Sequence, residues 1–95
     1  MLMGQWSLLT KHAYVLLCIA HDPDVRLRDI AAALDITERT AHGIVADLVD
    51  HGYMVKKRAG RRNRYQIVHR LTLRHPIGRE HSLGELLAVL THPEK

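Results

Sequence analysis

The sequence predicts a small α+β domain, mainly helical, in which three helices precede a β-hairpin and a fourth helix follows it. Three observations carry this. Apolar residues recur at helical spacing in three segments: Leu9, Ala13, Leu16, Leu17 and Ala20; Ile30, Ala31 and Leu34; and Ile36, Ala41, Ile44, Val45 and Leu48. Two alternating stretches, Tyr53 to Arg58 and Arg64 to Val68, flank a turn-rich segment with Gly60 and Asn63, which is the pattern of a hairpin. Ser82 stands three residues before Glu85, at the head of the stripe Leu83, Leu86, Leu87 and Leu90, and this spacing is a capping box at a helix start.

A chain of 95 residues fits one domain, read as 1–95 with its core at about 9–68 and a C-terminal extension and helix at 69–95. A hydrophobic fraction of 46% speaks against disorder. Aromatic residues make up only 4% with no Phe, so the core must be aliphatic. The single cysteine, Cys18, permits no intrachain disulfide, which fits a reducing cytoplasm. Met1 to Trp6 lacks a positive segment followed by an unbroken apolar one, as a signal peptide requires. The apolar run Ala13 to Ala20 is too short to span a membrane, and no membrane partner is expected.

Taken in order, the first helix runs from Ser7 or Thr10 to about His21, and Asp22-Pro23 ends it. Tyr14, Val15, Cys18 and Ile19 widen its apolar stripe almost all round, which requires a central position or a partner chain. Asp22 to Asp24 reads as a turn and Val25-Arg26-Leu27 as a short strand. The second helix covers about Arg28 to Leu34 with Ile30, Ala31 and Leu34 inward, and Asp35-Ile36 makes a tight connection. Thr37 caps a third helix that reaches about His51, where Gly52 stops it. The hairpin follows, with its turn over Ala59 to Asn63 and with Tyr65 and Ile67 pointing inward. His69 to Arg79, with Pro76 and Gly78, reads as irregular, and the last helix spans about Ser82 to Thr91. Helices beside a small antiparallel hairpin make a winged helix-turn-helix with a two-stranded wing and an additional C-terminal helix.

Ile30 to Leu48, IAAALDITERTAHGIVADL, resembles the helix-turn-helix signature. Leu9 to Val68 as a whole, about two thirds of the chain, resembles the winged-helix domains of bacterial transcriptional regulators of the MarR and ArsR type. Two helices crossing steeply over a short turn need a small residue at their contact, and Ala31 supplies it. The turn residue must accept left-handed backbone angles. The family usually has Gly there, whereas this chain has Asp35, a residue that tolerates the region. The resemblance implies duplex DNA as partner, with the third helix in the major groove and the wing on the sugar-phosphate backbone or in the minor groove.

Charge distribution points the same way. The net charge is +4, but six of the 14 basic residues lie between Lys56 and Arg64 with no acid among them, which calls for a polyanionic partner. The candidate DNA-binding residues are Thr37, Glu38, Arg39, Thr40, His42 and Gly43 on the third helix and Lys56, Arg58, Arg61, Arg62, Asn63 and Arg64 on the wing. Arg39 suits a bidentate contact to guanine, and Glu38 suits cytosine N4 or the helix start. Thr37 and Thr40 suit phosphate or bases, and Gly43 suits close backbone approach or is a mild helix defect. Beside Gly60, Arg61 and Arg62 are expected at the tip, while Lys56, Arg58 and Arg64 meet phosphates.

The leucine stripe of the last helix lies beyond the compact winged-helix core, and Leu2, Met3, Trp6, Leu8 and Leu9 are too apolar to leave in water. A two-fold homodimer through the two ends is expected, with recognition helices about 34 Å apart. Eight histidines raise the question of a metal sensor. His81 and Glu85 share a helix face, and His69, His75 and His81 are interrupted by Pro76 and Gly78, so a zinc site would need a second chain and none is expected. No nucleophile–base pair, paired acid site or Gly-rich phosphate loop is present, so neither an enzyme nor a cofactor is expected. The alternatives are a winged helix used as a protein-interaction module, which should lack a basic wing, and a ligand- or metal-responsive repressor with its pocket at a dimer interface.

Overall fold

The computed structural model describes residues 7–74 and 76–91. It is a winged helix-turn-helix with a C-terminal helix: α1 (Lys11–His21), α2 (Leu27–Leu34), α3 (Glu38–Asp50), β1 (Met54–Ala59), β2 (Arg62–Ile67), β3 (Thr72–Leu73), β4 (His81–Ser82) and α4 (Leu83–Thr91).

Thr10 caps α1, its side chain accepting from the Ala13 N–H at 3.2 Å, and the helix stops at Asp22 ahead of Pro23. Val15, Leu16 and Ile19 are buried, and Tyr14, Leu17, Cys18 and Ala20 are packed half-buried against them. The nearly all-round apolar surface of α1 is thus accounted for by a central position, because α2, α3, α4 and β2 all contact it. Partial burial pushes the Cys18 thiol pKa up.

Val25-Arg26-Leu27 is not a strand. Asp22 to Val25 form a β-turn, closed by the Val25 N–H on the Asp22 carbonyl at 3.0 Å, and Leu27 already belongs to α2. Too few residues remain between turn and helix to build a ladder. Both helices of the helix-turn-helix then end in the same way. At the end of α2 the Ile36 N–H reaches the Ala31 carbonyl at 2.9 Å while Asp35 takes left-handed angles, φ 57 and ψ 47. At the end of α3 the Tyr53 N–H reaches the Leu48 carbonyl at 2.9 Å and Gly52 sits at φ 84. These are Schellman closures, which satisfy carbonyls that a helix end would otherwise leave bare.

In the hairpin, Met54 pairs with Ile67 and Ala59 with Arg62, which leaves only Gly60 and Arg61 in the turn. The turn is shorter than the expected Ala59–Asn63, because a Gly at φ 66 in the first central position lets two residues reverse the chain. Only Met54 and Ile67, at the base, are buried, with Tyr65 half-buried above them.

Within the segment read as irregular, residues 72–73 form a strand. This strand, β3, pairs antiparallel with β4 through Thr72↔Ser82 and Leu73↔His81. The Leu83 N–H donates to the Leu71 carbonyl at 2.7 Å and the Gly84 N–H to the His69 carbonyl at 2.9 Å, and these bonds fix the start of α4. The capping box forms reciprocally: the Ser82 N–H donates to Glu85 Oε1 at 2.7 Å, and the Glu85 N–H donates to Ser82 Oγ at 3.1 Å. The Ser82 N–H first, and His81 after it, hold the Glu85 carboxyl below its ordinary pKa against a smaller desolvation effect.

The last helix is not outside the core. Leu83 and Leu87 are 1% and 4% exposed within it, packed with α1, whereas Leu86, Val89 and Leu90 face solvent. Leu8 is exposed and Leu9 half-buried, and Leu2, Met3 and Trp6 lie outside the described residues. The core is aliphatic, and among the described residues it contains no buried polar or charged side chain. No helix among the described residues is long and apolar enough to cross a membrane.

Candidate nucleic-acid interface

The interface is assembled from the inside of α3 outward. Helices α2 and α3 pack on each other, and Ala31 of α2 and Ala41 of α3 are 4% and 0% exposed. Ala41, Ile44, Val45 and Leu48 anchor α3 to the core, with Ile36 half-buried before them. Because side chains on the buried face recur every three to four positions, Thr37, Glu38, Arg39, Thr40, His42 and Gly43 are turned outward, and all six are exposed.

Thr37 is first a structural residue. Its Oγ1 accepts from the Thr40 N–H at 3.0 Å and donates to Thr40 Oγ1 at 3.0 Å, so the two hydroxyls are tied together at the helix start. Among the described residues, the side chains of Glu38, Arg39 and His42 have no hydrogen-bonded or ionic partner. Gly43 has open space around it: a Cβ there would meet nothing within 4 Å. Its lack of a side chain serves no contact inside the domain.

In the wing, cross-strand partners share a face of the ladder. Lys56↔Tyr65 and Arg58↔Asn63 lie on the same face as the buried pair Met54↔Ile67, while Val55↔Gln66, Lys57↔Arg64 and Ala59↔Arg62 lie on the other. Tyr65 and Lys56 border a cleft that is also lined by His42, Val45, Ala46, Val49 and Asp50 of α3, which brings the third helix and the wing to one surface. Arg61 is exposed at the turn, and Arg58 Nε donates to the Gly60 carbonyl at 3.2 Å.

Arg62 is not a tip residue. It is half-buried, and its Nη2 donates to the Asp24 carbonyl at 2.5 Å. Arg64 Nε lies 3.0 Å from Asp24 Oδ1. The run Lys56 to Arg64 contains no acid, yet the fold brings one to it from the α1–α2 turn. Sequence reasoning missed Asp24, and the only local signal was the turn sequence Asp22-Pro23-Asp24 in which it sits.

The histidines disperse. His12 Nε2 lies 3.0 Å from Asp47 Oδ2, His51 Nδ1 lies 2.8 Å from the Asp47 carbonyl, and His81 Nδ1 lies 3.4 Å from Glu85 Oε1. His75 is outside the described residues. No group of three or more potential metal ligands occurs among the described residues.

The family model described as the IclR helix-turn-helix domain matches residues 9–58, more than half of the chain, from ahead of α1 into the first strand of the wing. The match supports DNA binding in transcription regulation and points to a regulator rather than an enzyme. It also corrects the expected type, since the matching domain is of the IclR type and not specifically of the MarR or ArsR type. No curated protein sequence matches the chain.

Proposed function

The chain belongs to the IclR helix-turn-helix family, and from that premise we propose that it binds duplex DNA sequence-specifically as a dimeric transcription regulator. The observation that carries this reading is the cleft in which His42, one of the outward residues of α3, lines the same surface as Lys56 of the wing. The start of α3 enters the major groove. Arg39, exposed and unpaired among the described residues, reads guanine through its two-pronged donor set. Thr40 and Thr37 bond phosphate or base edges, His42 donates or accepts beside them, and Glu38 accepts from cytosine or supports the helix start. Gly43 lets the DNA approach the helix backbone.

The wing supplies charge. Lys56, Arg58 and Arg64 meet phosphates, Arg61 reaches toward the minor groove from the turn, and Arg62 and Asn63 flank it. The exposed apolar face of α4, Leu86, Val89 and Leu90, favours a two-fold partner. Such a dimer sets the two α3 helices about 34 Å apart, one turn of DNA.

Two measurements test the reading. On a duplex selected from a random pool, the log–log salt slope should be on the order of −5 or steeper for a dimer. Arg39→Ala should cost about 1–3 kcal/mol and relax preference at one base position, whereas Lys56→Ala with Arg61→Ala should weaken all sequences alike and flatten the slope. An affinity indifferent to salt would overturn the proposal. For the dimer, sedimentation at micromolar concentration that returns a 10.8 kDa monomer would refute it.

A further inference from the structure

Two of the six wing cations are held by a residue outside the wing, and it is the same residue for both. Arg62 and Arg64 are alternate residues of β2, so both point to the same face of the ladder, the face away from Met54 and Ile67. On that face they meet Asp24, Arg62 at its backbone carbonyl and Arg64 at its carboxylate. Asp24 is held for this by its turn: its own N–H donates to Asp22 Oδ1 at 3.0 Å, Pro23 fixes the backbone before it, and the Val25 N–H closes the turn on Asp22. A rigid turn thus presents a carbonyl and a carboxylate side by side to two arginines 38 and 40 positions later.

We propose that Asp24 is an intramolecular counter-anion of the wing, which DNA phosphate displaces from Arg64 on binding. This rests on the reading of the wing as a DNA-contacting element. The energetics allow the exchange. Both partners of the Arg64–Asp24 pair are about half exposed, at 47% and 64%. An ion pair of that kind contributes little net stability, and a phosphate in the same position offers a comparable or better charge-assisted contact. In the free protein the carboxylate relieves repulsion among cations on two short strands that bury little else. In the complex it becomes a competitor for the same guanidinium, so Asp24 sets how much of the wing's charge reaches DNA.

Asp24→Asn isolates the charge, because it keeps the carbonyl for Arg62 and suits the turn; Asp24→Ser is a second neutral variant that also suits it. Either variant should bind a given duplex on the order of 2–5-fold more tightly, with a salt slope steeper by about one per protomer. Arg64→Gln should then cost more affinity in the Asp24→Asn background than in the natural one. Unchanged or weaker binding by both neutral variants, or an Arg64→Gln effect equal in the two backgrounds, overturns the inference. The combined Lys56→Ala and Arg61→Ala variant separates the two levels. If it loses affinity and slope while the Asp24 variants match the natural protein, the counter-anion role alone fails. If it changes neither, the wing reading fails and the inference with it.

Discussion

Helix α3 buries Ala41, Ile44, Val45 and Leu48 along its length and is closed at both ends, by the Thr37 cap and by the Gly52–Tyr53 Schellman bonds. The wing buries two residues, Met54 and Ile67, both at its base, and everything beyond them is a half-buried Tyr65 or a side chain in solvent or against the Asp24 turn. The two halves of the proposed interface are therefore held by different forces. The reading helix is part of the core, and its outward residues inherit the core's rigidity. The wing is an arm whose stiffness comes from a two-residue turn, a backbone ladder and polar contacts to one loop. An isolated two-stranded hairpin is marginal in water. In the proposed interface, sequence reading is thus assigned to the well-anchored element, and sequence-independent charge to the lightly held one.

The sharpest test of that contrast is stability. Leu48→Ala, at a site 5% exposed in the last turn of α3, should cost about 2–5 kcal/mol, a large part of what a domain this small possesses. Val55→Ala, at a site 46% exposed on the outer face of β1, should stay within about 0.5 kcal/mol. Urea or thermal unfolding followed by circular dichroism reads both. A Val55 variant as damaged as the Leu48 variant would mean that the wing's outer face is covered by something.

The same contrast explains what the sequence made legible. The helices, the Thr37 cap, the left-handed Asp35 and the Ser82–Glu85 box are set by residues within a few positions of one another, so pattern and spacing reveal them. The outward set on α3 follows from its buried stripe. What the pattern misses depends on distance or brevity. Strands β3 and β4 are two residues each, too short to carry an alternation. The stripe of α4 reads as one apolar face, and only the tertiary fold divides it into Leu83 and Leu87, which close the core, and Leu86 and Leu90, which do not. Asp24 is invisible from the wing because the residues that meet it are 38 and 40 positions away. The family type escaped for a related reason: buried stripe, cap and tight turn are demands of the helix-turn-helix itself and do not by themselves separate its types.

A smaller effect probes the start of the reading helix. Thr37→Ala removes the oxygen that accepts the Thr40 N–H and unties the Thr40 hydroxyl. The loss should be about 1 kcal/mol of stability. Because Thr37 caps α3 and also stands at the proposed DNA surface, its variant should lose both stability and affinity, whereas Arg39→Ala should lose affinity alone. Amide hydrogen exchange localises the first loss, and fraying confined to the first turn of α3 is the expected pattern. Unchanged protection there would mean that the cap contributes nothing.

The smallest expected effects come from one substitution made in both regions. Gly43 lies inside α3 with nothing within 4 Å of where a Cβ would be, so Gly43→Ala should stabilise the free protein by about 0.5–1 kcal/mol through helix propensity and chain entropy. Gly60 holds φ +66 in the wing turn, also with open space around it, so Gly60→Ala should cost about 1 kcal/mol through backbone strain alone. Identical chemistry in identical space thus has opposite signs, set only by the backbone. Binding then assigns Gly43 its role. A Gly43→Ala protein that is more stable yet binds DNA less tightly has a helix backbone that DNA approaches at that position. Equal or tighter binding makes Gly43 a mild helix defect and leaves reading to Arg39, Thr40 and His42.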